Sequence, residues 1–146
     1  MAGRKQKTRP HAGRLRIVAG NWRSRLLDIA DVEGLRPTAE RIRETLFNWL
    51  APHIHGARCL DLFAGTGALG LEALSRGARS VVFVERSTVA AKQLRKNIEI
   101  LVGTGSVGGA LAPNGFAAEA APTGPPTGAR VIQGDALEYL RRPAED

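Results

Sequence analysis

Residues 59–70 have the sequence Cys-Leu-Asp-Leu-Phe-Ala-Gly-Thr-Gly-Ala-Leu-Gly, and residues 81–85 have the sequence Val-Val-Phe-Val-Glu. The first stretch is an apolar run that ends in an acidic, glycine-rich turn and leads into a helical pattern. The second is an apolar run that ends in a carboxylate. This order is typical of a β-strand, a crossover helix and a second parallel β-strand around a nucleotide cofactor. The two stretches therefore predict an α/β fold.

The turn after the first strand carries the residue types that such a cofactor needs. Gly65 and Gly67 allow the backbone to turn sharply and to approach a ligand closely. The helix that follows offers unpaired N–H groups at its N-terminus. Glu85, at the end of the second strand, can accept hydrogen bonds from two ribose hydroxyl groups. We therefore expect one cofactor site formed by this turn and Glu85.

Asp61 distinguishes between the possible cofactors. Gly65, Gly67 and Gly70 fit the G-x-G-x-x-G pattern of NAD-binding proteins, but a carboxylate in this turn gains nothing from a nearby pyrophosphate. S-adenosylmethionine (SAM) carries an ammonium and a sulfonium group, so an acidic turn favours SAM. The pattern D-x-F-x-G-x-G is similar to the first motif of class I SAM-dependent methyltransferases. We predict SAM rather than NAD; the simplest alternative is a glycine turn that only packs the helix on the strand.

Length and composition limit the class of protein. The 146 residues and single cysteine are typical of about one domain without an internal disulfide. No apolar run reaches the roughly 20 residues that cross a bilayer, and the basic N-terminus lacks the apolar segment of a signal peptide. We therefore expect a cytoplasmic protein without a membrane partner. His53 and His55 have no evident third ligand, so we expect no metal site.

Positive charge is concentrated at the N-terminus. Residues 1–25 contain eight Lys and Arg residues and no acidic residue, whereas the net charge of the whole chain is +7. Residues 1–14, which include Pro10 and Gly13, are predicted to form a disordered basic arm that binds phosphates. A tail that only increases solubility is the alternative.

Residues 15–27 contain two apolar patches on either side of a Gly-Asn pair, which predicts a β-hairpin. Its solvent face would carry Arg16, Arg23 and Arg25 beside Trp22. Arginines beside an aromatic ring are suited to phosphates and stacked bases. Trp22 could equally anchor the core, and the sequence does not choose between these roles.

A helix is expected to follow, opened by Pro37 with Thr38 and Glu40 in its first turn. Apolar residues that recur at helical spacing predict its buried stripe: Ile42, Leu46, Trp49 and Leu50. Three arginines are expected at or near the opposite side, facing solvent or RNA: Arg36, Arg41 and Arg43.

The hairpin and this helix, residues 15–57, precede an α/β domain predicted over residues 58–146. Its expected elements are a strand at 58–63, a helix at 68–76, a strand at 80–84, a helix at 87–101, a strand at 130–133 and a helix at 136–141. The second of these helices has Ser87 as a plausible N-cap and a clear apolar stripe: Ala90, Leu94, Ile98 and Leu101. Residues 102–129 are rich in Gly, Ala, Pro and Thr and are predicted to form a disordered loop.

Asp135 follows the third strand of this domain. A carboxylate there suits the amino group of adenine, which is a hydrogen-bond donor. Alternatively, Asp135 caps the helix that begins at Ala136. The two roles are compatible.

Three stretches resemble one family: residues 16–23 (RIVAGNWR), residues 34–50 (GLRPTAERIRETLFNWL) and residues 61–77 (DLFAGTGALGLEALSRG). They are similar to the RsmD family, which comprises bacterial small-subunit ribosomal RNA guanine-N2 methyltransferases. The resemblance runs from about Arg14 to Leu140 and is interrupted by the loop at 102–129. It implies the N-terminal half of a class I SAM-dependent methyltransferase (Rossmann-like) fold. It also implies ribosomal RNA, or an assembly intermediate of the small ribosomal subunit, as the partner.

The motifs and the resemblance together assign candidate site residues. The candidate SAM-binding residues are Asp61, Phe63, Gly65, Gly67, Glu85, Asp135 and Ala136. The candidate residues for binding the RNA substrate are Arg14, Arg16, Trp22, Arg23, Arg25, Arg36, Pro37 and Thr38.

The chain ends at Asp146, where the family would enter a fourth strand and its Asp/Asn-Pro-Pro-Phe/Tyr motif. In the family this motif orients the guanine amino group toward the methyl donor and stacks the base. We therefore expect no catalytic residue in these 146 residues, no methyl transfer by the isolated chain, and an open sheet edge at the first strand. A non-catalytic RNA- or SAM-binding module and, less favoured, an NAD-binding Rossmann domain are the alternatives.

Overall fold

The computed structural model describes residues 13–103 and 128–143. The elements of this part are β1 (Arg14–Arg16), β2 (Leu26–Asp28), α1 (Glu40–Ile54), β3 (Arg58–Asp61), α2 (Ala68–Ser75), β4 (Ser80–Glu85), α3 (Thr88–Gly103), β5 (Gly128–Gln133) and α4 (Ala136–Arg141). β1 and β2 form an antiparallel pair, and β3, β4 and β5 form a parallel sheet in that order. The predicted α/β fold is confirmed.

The parallel sheet brings the ends of its strands to one edge. Cys59 of β3 is paired with Val81 of β4, and Asp61 with Phe83. Both connections between neighbouring strands pass through a helix, first α2 and then α3. Because the carboxyl ends of parallel strands lie at the same side of a sheet, Asp61 and Glu85 come to the same edge.

The core lies between this sheet and the helices. Phe83 is fully buried, and Gly70 of α2 lies so close to its ring that a Cβ there would be 2.2 Å from Phe83 Cε1. The predicted stripe of α3 is confirmed, since all four of its residues are buried: Ala90, Leu94, Ile98 and Leu101. The Ser87 hydroxyl accepts a hydrogen bond from the Ala90 N–H at 3.2 Å, as expected of an N-cap.

The predicted hairpin is confirmed. β1 and β2 have three residues each and pair antiparallel, and residues 17–25 form the loop between them. The loop folds back on α2, where the Asn21 N–H donates to the Ser75 carbonyl at 2.7 Å. Trp22 is only 5% exposed, so of its two predicted roles the structure supports the core anchor, and its assignment to the RNA face is wrong.

Helix α1 was predicted to begin at Pro37, but it begins at Glu40. The predicted stripe is also wrong for two residues, since Ile42 is 61% and Trp49 75% exposed, while the buried positions include Arg43 and Phe47. The placement of Arg43 at the opposite, solvent side is therefore wrong as well. The prediction of a helix is confirmed, but its buried face is rotated so that it includes Arg43.

The physical reason is a cluster of ion pairs at Glu72, a fully buried residue of α2. Arg43 Nη1 lies 3.2 Å from Glu72 Oε2, and Arg76 Nε lies 3.0 Å from Glu72 Oε1. Arg76 also lies over the ring of Phe47, 5.2 Å from its centroid, within the range of a cation–π contact. We call Arg43, Glu72 and Arg76 the Glu72 cluster. A buried charge requires partners, so the cluster turns Arg43 inward.

Other boundaries differ from the prediction by a few residues. α3 continues to Gly103 and β5 begins at Gly128, so both ends of the predicted loop at 102–129 belong to regular elements. The rest of that loop, and residues 1–12 of the predicted arm, lie outside the described residues. β3 is an edge strand of the sheet in the part of the chain that the structure describes, with Leu60 47% exposed. Within the same part, no helix is long and apolar enough to span a membrane.

Replacing Glu72 by alanine tests the role of the cluster. The Glu72→Ala change leaves Arg43 buried without its main acidic partner, so the free energy of unfolding should fall by about 3 to 5 kcal/mol. Urea denaturation followed by circular dichroism measures this loss. The control Glu99→Ala, on the solvent face of α3, should change the free energy by less than about 0.5 kcal/mol. A loss for Glu72→Ala as small as that of the control would contradict the assignment.

Candidate functional site

The turn between β3 and α2 requires glycine at two positions, and at Gly67 for two reasons. Gly65 has φ +56° and Gly67 has φ +82°, a backbone region that favours glycine. Gly67 is also the N-cap residue of α2, and a Cβ on it would lie 2.3 Å from Leu94 Cδ1 of α3. Gly67 therefore serves both the conformation of the turn and the close packing of α3 behind it.

Glu85 holds this turn in place from the neighbouring strand. One carboxylate oxygen accepts the Gly65 N–H at 2.6 Å, and the other accepts the Ser87 N–H at 2.9 Å. A carboxylate has about four acceptor sites, so two more hydrogen bonds can be accepted. Glu85 is half-buried. It can thus organise the turn and still accept hydrogen bonds from a ligand.

Asp61 lies at the end of β3, next to the same turn. Burial raises the pKa of the Asp61 carboxyl, and the nearby charge of Glu85 also raises it, whereas hydrogen bonds from the backbone of Phe63 and Gly70 act in the opposite direction. Two carboxylates at one edge of the sheet repel each other. A cation placed between them would relieve that repulsion.

Phe63 and the Arg36-Pro37-Thr38 segment lie around the turn in different ways. Phe63 is 82% exposed, so its ring is available to a ligand and does not belong to the core. Leu35 reaches the turn, since its Cδ1 would lie 3.3 Å from a Cβ placed on Gly65. The residues that follow Leu35 therefore begin beside the glycine turn.

Asp135 and Ala136 follow β5, the third strand of the parallel sheet. The Gly134 N–H donates to the Glu85 backbone carbonyl at 2.9 Å, which places this turn beside the end of β4. Asp135 caps α4 through Oδ1, which accepts the N–H groups of Leu137 at 2.9 Å and Glu138 at 3.1 Å. Its capping role is thus directly visible, and Oδ2 takes part in neither bond.

An apolar groove of about 210 Å³ lies behind Asp61, between α1, β3 and α2. Leu46, Leu50 and Leu60 are among its lining residues, and Asp61 is its acidic member. The groove does not include Gly65, Gly67 or Glu85. We therefore take the glycine turn, and not this groove, as the centre of the candidate site, since the polar groups converge at the turn.

The candidate RNA-binding arginines are not equivalent. Arg14 Nε lies 3.8 Å from an Asp28 carboxylate oxygen, and Arg16 Nε lies 3.7 Å from a Glu40 carboxylate oxygen. Both pairs are exposed, so each is weak, but the acids reduce the local positive potential. Arg23 is exposed on the loop between β1 and β2.

Glu72 and Ser75, for which the sequence predicts no role, join the hairpin to the α/β domain. The Val18 and Ala19 N–H groups donate to the Glu72 carboxylate, each at 3.0 Å, and the Trp22 N–H donates to Ser75 Oγ at 3.0 Å. The sequence did contain a signal for the role of Glu72. It is the single charged residue in the otherwise mostly apolar sequence ALGLEALS of α2, which indicates a buried, paired carboxylate.

Comparisons with known proteins agree with this architecture. A family model described as conserved hypothetical protein 95 matches residues 15–111. The ribosomal RNA small subunit methyltransferase D of Haemophilus influenzae is 56% identical over 89 residues, which are 61% of this chain and 46% of that protein. The protein of the same name from Escherichia coli K12 is 56% identical over 90 residues, 62% of this chain and 46% of that protein.

Among solved structures, the putative methyltransferase yhhF from Escherichia coli superposes with a TM-score of 0.67 at 40% sequence identity, covering 89% of this chain and 57% of that one. The fold is therefore a Rossmann-like methyltransferase fold. The chain spans about half the length of the curated relatives that it matches.

The glycine turn, the two carboxylates and the Arg-Pro-Thr segment all lie within the matched residues 15–111. On this basis the chain belongs to the family described as conserved hypothetical protein 95, whose curated relatives named above are ribosomal RNA small subunit methyltransferases D, and the resemblance to the RsmD family is confirmed.

Proposed function

We propose that this chain is the SAM-binding part of a methyltransferase that acts on the exocyclic N2 of a guanine in small-subunit ribosomal RNA. The observation that carries the proposal is the pair of carboxylates, Asp61 and Glu85, at the ends of adjacent parallel strands around the Gly65–Gly67 turn. The names of the relatives support the ribosomal RNA substrate. The guanine N2 position follows from the family resemblance. The place of action would be the cytoplasm.

The residues present fit SAM better than a dinucleotide. The pKa of Asp61 is raised by burial and by Glu85, so the site disfavours additional negative charge and favours a cation. SAM would supply the methyl group and a positive charge. Asp61 would face the cationic part of the ligand, and Glu85 would accept hydrogen bonds from the ribose with the acceptor sites that Gly65 and Ser87 leave available.

Three further residues complete the proposed cofactor site. Asp135 lies in the turn beside the end of β4 and offers Oδ2 to the amino group of adenine. Phe63, largely exposed at the turn, would cover one side of the ligand. Ala136 is buried behind Asp135 and would contribute its backbone.

The RNA would approach from the N-terminal side. Eight positive charges without an acid in residues 1–25 produce an electrostatic attraction for phosphates that does not depend on sequence. The matched part is 46% of each of the two curated relatives, so more than half of each relative lies outside it. We place the residues that orient the guanine amino group in that further part, in the Asp/Asn-Pro-Pro-aromatic motif implied by the resemblance.

Titration with SAM and with NAD tests the cofactor. The Glu85→Gln change should weaken SAM binding by about 1.5 to 3 kcal/mol, because it removes the charge from an acceptor of hydrogen bonds; this corresponds to roughly tenfold or more in the dissociation constant. Isothermal titration calorimetry measures it, with Glu99→Gln as the control. Tighter binding of NAD than of SAM by the unaltered protein would reject the proposal.

Asp61→Asn separates function from stability. Because the pKa of Asp61 is raised in the fold, its ionised form costs stability, and the advantage of the neutral form is lost as pH rises through the folded pKa. The melting temperature of Asp61→Asn at neutral pH should therefore equal or exceed that of the unaltered protein, and the difference should shrink in acid. SAM affinity should still fall by about tenfold.

Thermal melts at several pH values and calorimetry check both parts of this prediction. Asp31→Asn, at an exposed position, is the control and should change neither quantity. A lower melting temperature with unchanged SAM affinity would mean that Asp61 is a structural residue.

Deletion of residues 1–12 tests the contribution of the arm to RNA binding. These residues hold Arg4, Lys5, Lys7 and Arg9, so the slope of log K against log salt should flatten by up to about 3, at about 0.7 per phosphate on single strands. Fluorescence anisotropy at a series of salt concentrations measures the slope. Neutralising Lys92 and Lys96, both exposed on α3, should leave the slope unchanged. An unchanged slope after the deletion would make the arm a solubility tail.

A further inference from the structure

The loop of residues 17–25, between β1 and β2, is held by the C-terminal half of α2. Ser75 makes three of the contacts. Its hydroxyl accepts the Trp22 N–H at 3.0 Å and donates to the Ala19 carbonyl at 2.6 Å, and its carbonyl accepts the Asn21 N–H at 2.7 Å. With the two N–H groups that donate to Glu72, four backbone N–H groups of the loop are bound to α2.

The loop also has an enforced backbone conformation. Gly20 has φ +88°, and a Cβ on it would lie 1.9 Å from the Ser75 carbonyl oxygen. Ser24 has φ +66° and is the only non-glycine residue with positive φ in the described part of the chain. Such a conformation costs free energy and persists where surrounding contacts determine it. Between these two residues, Trp22 is buried and Arg23 is exposed.

Helix α2 also carries the cofactor turn. Gly67 caps its N-terminus, and Glu72 and Ser75 lie in its last turns. Seven of its eight residues are buried, and a helix of this length spans about 12 Å. One short, buried helix therefore connects the glycine turn at one end with the loop of residues 17–25 at the other.

We propose that the loop of residues 17–25 is a preformed RNA-contacting element, and that Ser75 and Glu72 are positioning residues that hold Arg23 at a fixed distance from the cofactor turn. The inference rests on the proposed function, because it takes RNA as the substrate class. The guanidinium of Arg23 would bind a backbone phosphate, for which its planar group is suited. Holding the loop in its bound conformation lowers the entropic cost of binding.

An apolar contact alone would attach the hairpin to α2 without selecting a loop conformation. Hydrogen bonds to the N–H groups of Val18, Ala19, Asn21 and Trp22 determine the direction of the backbone at each step. The alternation that results buries Trp22 and turns Arg23 outward. Neither Ser75 nor Glu72 is exposed, so neither can touch RNA directly, and a specific effect on RNA binding would act through the loop that they hold.

A double-mutant cycle between Arg23→Ala and Ser75→Ala tests the proposal. The probe is a fluorescein-labelled single-stranded RNA from the small-subunit ribosomal sequence, and its affinity is measured by anisotropy. Ser75→Ala removes no charge, yet it should weaken RNA binding by about three- to tenfold, the range for a lost hydrogen bond. In the Arg23→Ala background it should have little further effect, because the two residues act together. SAM affinity should not change in either variant.

The outcomes separate this inference from the proposed function. If the two changes are additive, or if Ser75→Ala weakens SAM binding as much as RNA binding, the effect is general destabilisation and the inference is wrong, while the RNA substrate stands. If the unaltered protein does not bind the RNA, the RNA part of the proposed function fails as well. Thr45→Ala is the control. It removes an exposed hydroxyl of α1 that donates to the Arg41 carbonyl in the same helix.

Gly20→Ala provides a second variant if Ser75→Ala does not fold. The added Cβ collides with the Ser75 carbonyl. The change therefore displaces the loop without altering any residue of α2. It should reproduce the weaker RNA binding and its non-additivity with Arg23→Ala, again with unchanged SAM affinity. Unchanged RNA affinity in Gly20→Ala would overturn the proposal.

Discussion

The buried carboxylate of Glu72 is the interaction on which the arrangement of this protein depends. It lies on α2 and accepts hydrogen bonds from two backbone N–H groups of the hairpin loop and from Arg43 of α1 and Arg76. An isolated buried charge is costly, so the carboxylate requires all these partners at once. Three segments that are distant in sequence therefore meet at one side chain.

The opposite end of α2 shows a different use of charge. Asp61 and Glu85 lie at one edge because parallel strands end there. Burial raises the pKa of Asp61, backbone hydrogen bonds from Phe63 and Gly70 lower it, and the charge of Glu85 raises it. The charge of Glu72 is compensated by two arginines, whereas Asp61 has the acid Glu85 as a charged neighbour. A half-buried carboxyl group with a raised pKa and an acidic neighbour marks a candidate functional site.

The number of arginines in the sequence overstates the positive charge that a ligand can reach. Arg43 is buried in the Glu72 cluster, and Arg14 and Arg16 each lie near an acid. The positive charge available to a polyanion is therefore smaller than the total in the described part of the chain. Arg23 lies on a loop whose backbone is held in one conformation, so less backbone entropy is lost when the loop is ordered against a ligand.

Local patterns in the sequence determined much of the architecture. The βαβ unit, the stripe of α3 and the position of the glycine turn all follow from spacing within a few residues of each other, where periodicity and backbone preference act directly. The candidate carboxylates Asp61 and Glu85 could be identified for the same reason, because each lies at the end of an apolar run.

Only the tertiary structure decided which side of α1 is buried, where Trp22 points and how the hairpin is attached. Arg43 pairs with a residue 29 positions away, and the Val18 N–H with one 54 positions away. A single partner at that distance outweighs the local preference of Ile42 and Trp49 for the core, because an unpaired buried charge costs more than an exposed apolar side chain. The spacing of residues along one element does not indicate such a distant partner. The buried face of α1, the position of Trp22 and the attachment of the hairpin are therefore determined only when the chain folds.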